Sequence, residues 1–118
     1  MGANYNNEYG EVSVSQKVIL DLASNVAAKC YGVVGMGTRN KKDGIVKLLK
    51  SDNMNKGVEV KKADEGYIID IHVIVQYGVN IEAVCEGVVS RVRYSVEKYL
   101  GIKLKKVTVK VEGIRVSE

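Results

Sequence analysis

The residues best suited to chemistry in this 118-residue chain are few and scattered. His72 is the only histidine. It alternates with Asp70, Ile74 and Gln76 along one side of an apolar run, and no Cys or Ser stands at a spacing that would make a nucleophile–base dyad. A histidine so placed reads as a partly exposed strand residue rather than a general base. Asp70 and His72 offer two metal ligands where zinc needs three or four, so no metal site is expected. Gly32, Gly35 and Gly37 could let backbone N–H groups approach a phosphate. The segment lacks the closing glycine of a dinucleotide fingerprint and the Lys-Ser/Thr of a P-loop, and it reads as a turn and a bulged strand. No catalytic residue and no cofactor is expected.

Charge offers a second candidate. Arg39, Lys41, Lys42, Lys47, Lys50 and Lys56 crowd one stretch against Asp43 and Asp52, in a chain of net charge +4. Lys41, Lys42, Lys47 and Lys50 are the candidate anion contacts, for phosphates of nucleic acid or of lipid headgroups. A small basic nucleic-acid-binding module is therefore the alternative reading. It is disfavoured because no aromatic residues are interleaved for base stacking and no known module is spelled out. Within the stretch, Ile45, Val46, Leu48 and Leu49 predict a short amphipathic helix opened by Asp43. It has no Trp or Phe to anchor it in a membrane, so Ile45, Leu48 and Leu49 become candidates for protein docking. The mixed side of the His72 strand (Asp70, His72, Ile74 and Gln76) is the other candidate interaction surface.

The elements that position these residues follow from periodicity. The chain has no Phe, Trp or Pro, and its apolar volume is mainly Val and Ile, which suit a pleated, half-buried surface. Residues 1–9 are polar and read as a flexible tail before a single domain over 10–118. Val12 and Val14 mark a short first strand. Ser15 can cap a helix whose stripe is Val18, Ile19, Leu22, Ala23, Val26, Ala27 and Cys30, ended by Gly32. Val33–Thr38 is a brief extended piece. Val58–Lys62 and Tyr67–Tyr77 form a hairpin about Ala63-Asp64-Glu65-Gly66, with Tyr67, Ile69, Ile71, Val73, Val75 and Tyr77 on one face. Asn80 caps a second helix striped by Ile81, Val84, Cys85, Val88, Val92, Val96, Tyr99 and Leu100, with Arg93 and Glu97 paired outside, and Gly101 ends it. The last strand, Ile102–Val116, changes apolar phase between Leu104 and Val107 and again at Gly113, which predicts bulges. The order is strand, helix, strand, short helix, hairpin, helix, strand. Two striped helices need one apolar face, so the expected fold is α/β (α+β): a two-layer sandwich with a mixed sheet covered on one face by two long helices.

Cys30 and Cys85 lie on helix stripes with no CxxC and read as small buried hydrophobes in a reducing cytosol. The start, Met1-Gly2-Ala3-Asn4-Tyr5-Asn6, is no secretory signal, and Asn6 stands where myristoylation wants Ser or Thr. No run approaches the length of a membrane-spanning helix.

Several words of the sequence, in order, resemble the alkaline shock protein family, the envelope stress response proteins of Gram-positive bacteria. They are Gly10-Glu11-Val12-Ser13-Val14-Ser15, Gly32-Val33 with Gly35-Met36, Gly57-Val58-Glu59-Val60, Tyr67-Ile68-Ile69-Asp70-Ile71-His72-Val73-Ile74-Val75-Gln76-Tyr77-Gly78, Gly101-Ile102 and Val107-Thr108-Val109-Lys110-Val111-Glu112-Gly113-Ile114. The likeness runs over residues 10–116. Tyr31 stands where the family often has Pro, and the charged tails of some members are missing, which suits a compact, housekeeping-type branch. The resemblance implies a non-enzymatic cytoplasmic protein, often a homo-oligomer, in some members held at the inner face of the membrane through a partner. It also implies a role in envelope and alkaline or general stress, with some branches tied to fatty-acid metabolism. It supplies no site residues.

Overall fold

The computed structural model describes residues 4–6, 11–13, 15–39, 46–49 and 54–116. Its elements are β1 (Asn4–Asn6), β2 (Glu11–Ser13), α1 (Gln16–Ala28), β3 (Val33–Arg39), β4 (Val46–Leu48), a 3-10 turn (Met54–Gly57), β5 (Val58–Ala63), β6 (Gly66–Gln76), α2 (Ile81–Leu100) and β7 (Leu104–Arg115).

The sheet is built around β6, an unbroken β-branched run long enough to serve several neighbours. β7 runs parallel to it from Tyr67↔Leu104 to Gln76↔Arg115. The opposite edge of β6 is shared: β5 pairs antiparallel with its first half (Val58↔Ile71 to Ala63↔Gly66), and β3 with its second (Val33↔Val75 to Met36↔Val73). β4 extends the sheet beyond β3. The sheet is thus five-stranded and mixed. A parallel β6–β7 pair needs a long crossover, which α2 supplies.

Both helices lie over one face. The side chains of Ile69, Ile71, Val73 and Val75 share a core with Ile19, Ala23 and Ala27 of α1 and with Val84, Val88, Val92 and Val96 of α2. The helix ends are chemically defined. The Ser15 hydroxyl accepts from Lys17 N, and Asn80 Oδ1 accepts from Ala83 N at 3.0 Å. Gly101, left-handed at φ 66°, closes α2 by donating to the Glu97 carbonyl. Gly32 meets two demands at once: its φ is 82°, and a Cβ there would sit 2.4 Å from Val84 Cγ2. The exit from α1 is thereby pressed against the first turn of α2.

Both phase changes read in the last strand are register shifts, one between Leu104 and Lys106 and one between Val111 and Gly113. Four expectations need correction. The described part of the expected helix, residues 46–49, is not helical: Val46–Leu48 is a strand paired with Gly37–Arg39. A helix this short gains little from its own hydrogen bonds, and ladder pairing with β3 outweighs it. The first strand, Glu11–Ser13, does not join the main sheet. It pairs with Asn4–Asn6, inside the stretch read as a tail, as a separate two-stranded ribbon. Tyr77 lies past the end of β6, and it and Tyr99 are exposed rather than on the apolar faces assigned to them. Ile74, expected on an open surface, is fully buried although it faces away from the helix-side core. Its register partners are Gly35 and Gly113, and Leu48 lies against Gly35, 3.0 Å from where a Cβ would be.

A polar cluster on the helix-free face of the sheet

The face of β6 turned away from the helices carries Ile68, Asp70, His72, Ile74 and Gln76. Register sets their neighbours: Lys61, Lys106 beside Ile68, Glu59 and Thr108 beside Asp70, and Lys110 beside His72. At its centre is a cluster the sequence did not disclose. His72 Nδ1 lies 2.6 Å from Glu112 Oε2, and His72 Nε2 lies 3.3 Å from Glu59 Oε1. Glu112 reaches the ring because it is the residue inserted by the second β7 bulge. The side chains of His72 and Glu112 are largely covered (18% and 14% exposed), whereas Glu59 is 60% exposed.

A neutral imidazole has one N–H and can donate to one of these carboxylates; the imidazolium donates to both. The histidine hydrogen bond holds the Glu59 carboxyl below its ordinary value, and the charges of His72, Lys110 and Lys61 act in the same direction, against a smaller opposing effect of burial. The two carboxylates grip opposite nitrogens of the ring, so they do not converge on a common point. Among the described residues no group of three or more His, Cys, Asp or Glu is placed to hold a metal ion.

The remaining candidates fall as follows. Asp70 is half-buried, Gln76 exposed and Ile74 buried. Leu49 packs against the helix-side core, and its N–H donates to the Met36 carbonyl at 2.8 Å. Leu48 is half-buried. Ile45, Lys41, Lys42 and Lys50 lie outside the described residues, as does the side chain of Lys47. Gly35 and Gly37 belong to β3, which bulges between Val33 and Gly35. Burial raises both thiols, Cys30 and Cys85, which keeps them protonated at neutral pH. Cys30 Sγ donates to the Val26 carbonyl.

Glu59 and Glu112 were missed because neither is near His72 in sequence. A usable signal existed: the phase change before Gly113 marks an extra residue that can be re-aimed, and Glu59 follows from counting back across the Ala63–Gly66 turn. A second bracket was read only in part. Arg93 and Glu97 pair at 3.7 Å, but they also hold β7: Arg93 Nη1 donates to the Leu104 carbonyl at 2.8 Å, and Leu104 N donates to Glu97 Oε2 at 2.9 Å.

This fold is shared with solved structures of MamM CTD variants. One matches with a TM-score of 0.56 at 13% identity, covering 83% of this chain and 94% of that one. Another, a zinc form, matches at 0.57 and 11% identity, covering 87% and 90%. At such identities the likeness is one of fold alone. Sequence relatives span nearly the whole chain. The YloU protein of Bacillus subtilis is 36% identical over 118 residues, 99% of this chain and 98% of its own. A protein of Streptococcus pyogenes is 34% identical over 117 residues, 98% and 97% of the two chains. Among the described residues no helix is long and apolar enough to cross a membrane. Residues 4–116 match the model of the alkaline shock protein 23 family, described by a cell envelope-related function, and the chain belongs to that family.

Proposed function

We propose that the chain serves its family's cell envelope-related role without catalysis, through protein–protein contacts and self-association. It acts from the cytoplasmic side and reaches the inner face of the membrane only through a partner. The observation that carries this reading is the helix-free sheet face, with charges of both signs arrayed around a half-buried centre. Lys61 and Lys110 oppose Glu59 and Asp70 within two strand spacings, and Ile68 and Thr108 lie between them. Such a face can meet a second copy of itself across a two-fold axis, with the opposite charges setting the register. The local chemistry favours contact over reaction. Both ring nitrogens of His72 are engaged by carboxylates rather than aimed at a hydroxyl or thiol, and a general base must reach the proton it removes.

Sedimentation velocity on the full chain, up to about 1 mM so that weak association is populated, tests the proposal. Assembly should grow with concentration, weaken in Lys61→Glu, and return when Asp70→Lys is added to that variant. A chain that stays monomeric at the highest concentration overturns it, as does assembly indifferent to both substitutions.

A further inference from the structure

α2 is set for a wider sheet than the chain supplies. β7 is the last strand on its side. One of its edges bonds to β6 along its length, and the other has no strand partner among the described residues. Beside that edge, on the helix side, lies a shallow groove of about 350 Å³, lined by Glu82, Cys85, Glu86, Val89, Ser90 and Val109. Its floor is apolar. Cys85 and Val89 follow Ile81 at one-turn intervals and form a stripe separate from the buried Val84, Val88, Val92 and Val96. Ile81 is exposed, and Cys85, Val89 and Val109 are only half-buried. A further strand paired to β7 would turn every second side chain into this groove, because strand side chains alternate between faces.

Charge selects what that strand should be. On the helix-free side, the same stretch of β7 presents Lys106 and Lys110, both exposed, flanking Thr108. An antiparallel pair of two β7 strands centred on Thr108 would set Lys106 of each copy against Lys110 of the other. Like charges directly opposite are destabilising, and lysines on an edge strand are a common guard against pairing with a copy. The same two lysines attract an acidic strand.

We propose that the β7 edge and the adjoining α2 groove take an extended segment of another protein as an added strand. Its apolar side chains turn toward Cys85, Val89 and Val109, and its acidic side chains turn toward Lys106 and Lys110. Backbone pairing with β7 supplies affinity and the alternating side chains supply selectivity, as in other cases of strand addition.

The probe is a capped peptide of roughly nine residues, a full strand's length, alternating valine and glutamate. Its comparators are the valine–lysine peptide and a valine–glutamate peptide N-methylated along one edge. Backbone-amide NMR on the full chain should show saturable shifts in β7 and in Cys85–Val89. N-methylation should weaken binding at least about tenfold by removing the ladder. The exposed double variant Lys106→Glu/Lys110→Glu should weaken it by a similar factor and turn the preference toward the valine–lysine peptide. Val89→Ser, at a half-buried site, should cost a few-fold. The proposal fails if β7 amides do not move, if N-methylation is without effect, if charge reversal leaves the preference unchanged, or if isotope-filtered NOEs between copies place a second β7 backbone against this edge, which would assign it to a second copy.

Discussion

The two faces of β6 are built from one strand by different means. On the helix side, Ile69, Ile71, Val73 and Val75 are fully buried and interchangeable in kind: each is β-branched and each belongs to the one apolar core that the two helices share with the sheet. On the other side, polar and apolar residues are mixed and the partner of each is particular: Asp70 beside Glu59, His72 between Glu59 and Glu112, Ile74 between two glycines. The first face specifies that the chain folds, since burial of apolar area is non-directional. The second depends on register, because a one-residue slip would exchange the faces and dissolve its pairs.

Substitutions on the two faces should therefore separate. Ile71→Ala, in the fully buried core, is expected to cost about 2–5 kcal/mol, whereas Asp70→Ala on the other face should cost no more than about 1 kcal/mol; urea unfolding of both variants measures the contrast. Gly32→Ala attacks the helix layer through the backbone. A Cβ at φ 82° that also meets Val84 should cost roughly 2–4 kcal/mol, from left-handed strain and overpacking together. Arg93→Ala removes the charged hydrogen bond to the Leu104 carbonyl and should cost about 1–2 kcal/mol, with hydrogen exchange faster at the start of β7 than in β5. The smallest effect belongs to Glu59. Its carboxyl is held below the ordinary value of 4.5, so its contribution is complete above that value and is lost as pH falls through the lower folded one. Glu59→Gln should cost under about 0.5 kcal/mol near neutrality, since the side chain is mostly exposed. It should also flatten the decline in stability below about pH 4.5, where the wild-type loses the pair. An NMR titration in His72→Ala should return Glu59 toward its ordinary value.

The contrast between the faces also explains what was legible in the sequence. The helix-side layer could be read because it rests on periodicity: the stripes Ile19–Ala23–Ala27 and Val84–Val88–Val92–Val96, the caps Ser15 and Asn80, and the terminating Gly101 are local signals. The bulges of β7 were legible for the same reason, as breaks in a period of two. The helix-free face was not. The Glu59–His72–Glu112 cluster joins three strands, and each contact is set by pairing that no single stretch encodes. Ile74 was assigned to open surface because its alternation partner His72 is polar, yet flanking glycines leave room for Leu48 beside it. Val46–Leu48 was misread because three residues are too few to show a period, and their strand pairing was decided by β3.

β6 finds neighbours made both before and after it, and that has a consequence during synthesis. By the time Gln76 has left the ribosome, β3, β5 and β6 can already pair, but the sheet they form has only α1 to shield it. Its apolar side stays largely wet until the twenty residues of α2 have been added, and β7 can dock only after that. For this interval the nascent chain carries its stickiest surface half-dressed, so the delay before α2 follows β6 out of the ribosome sets how long it is open to aggregation or to a chaperone.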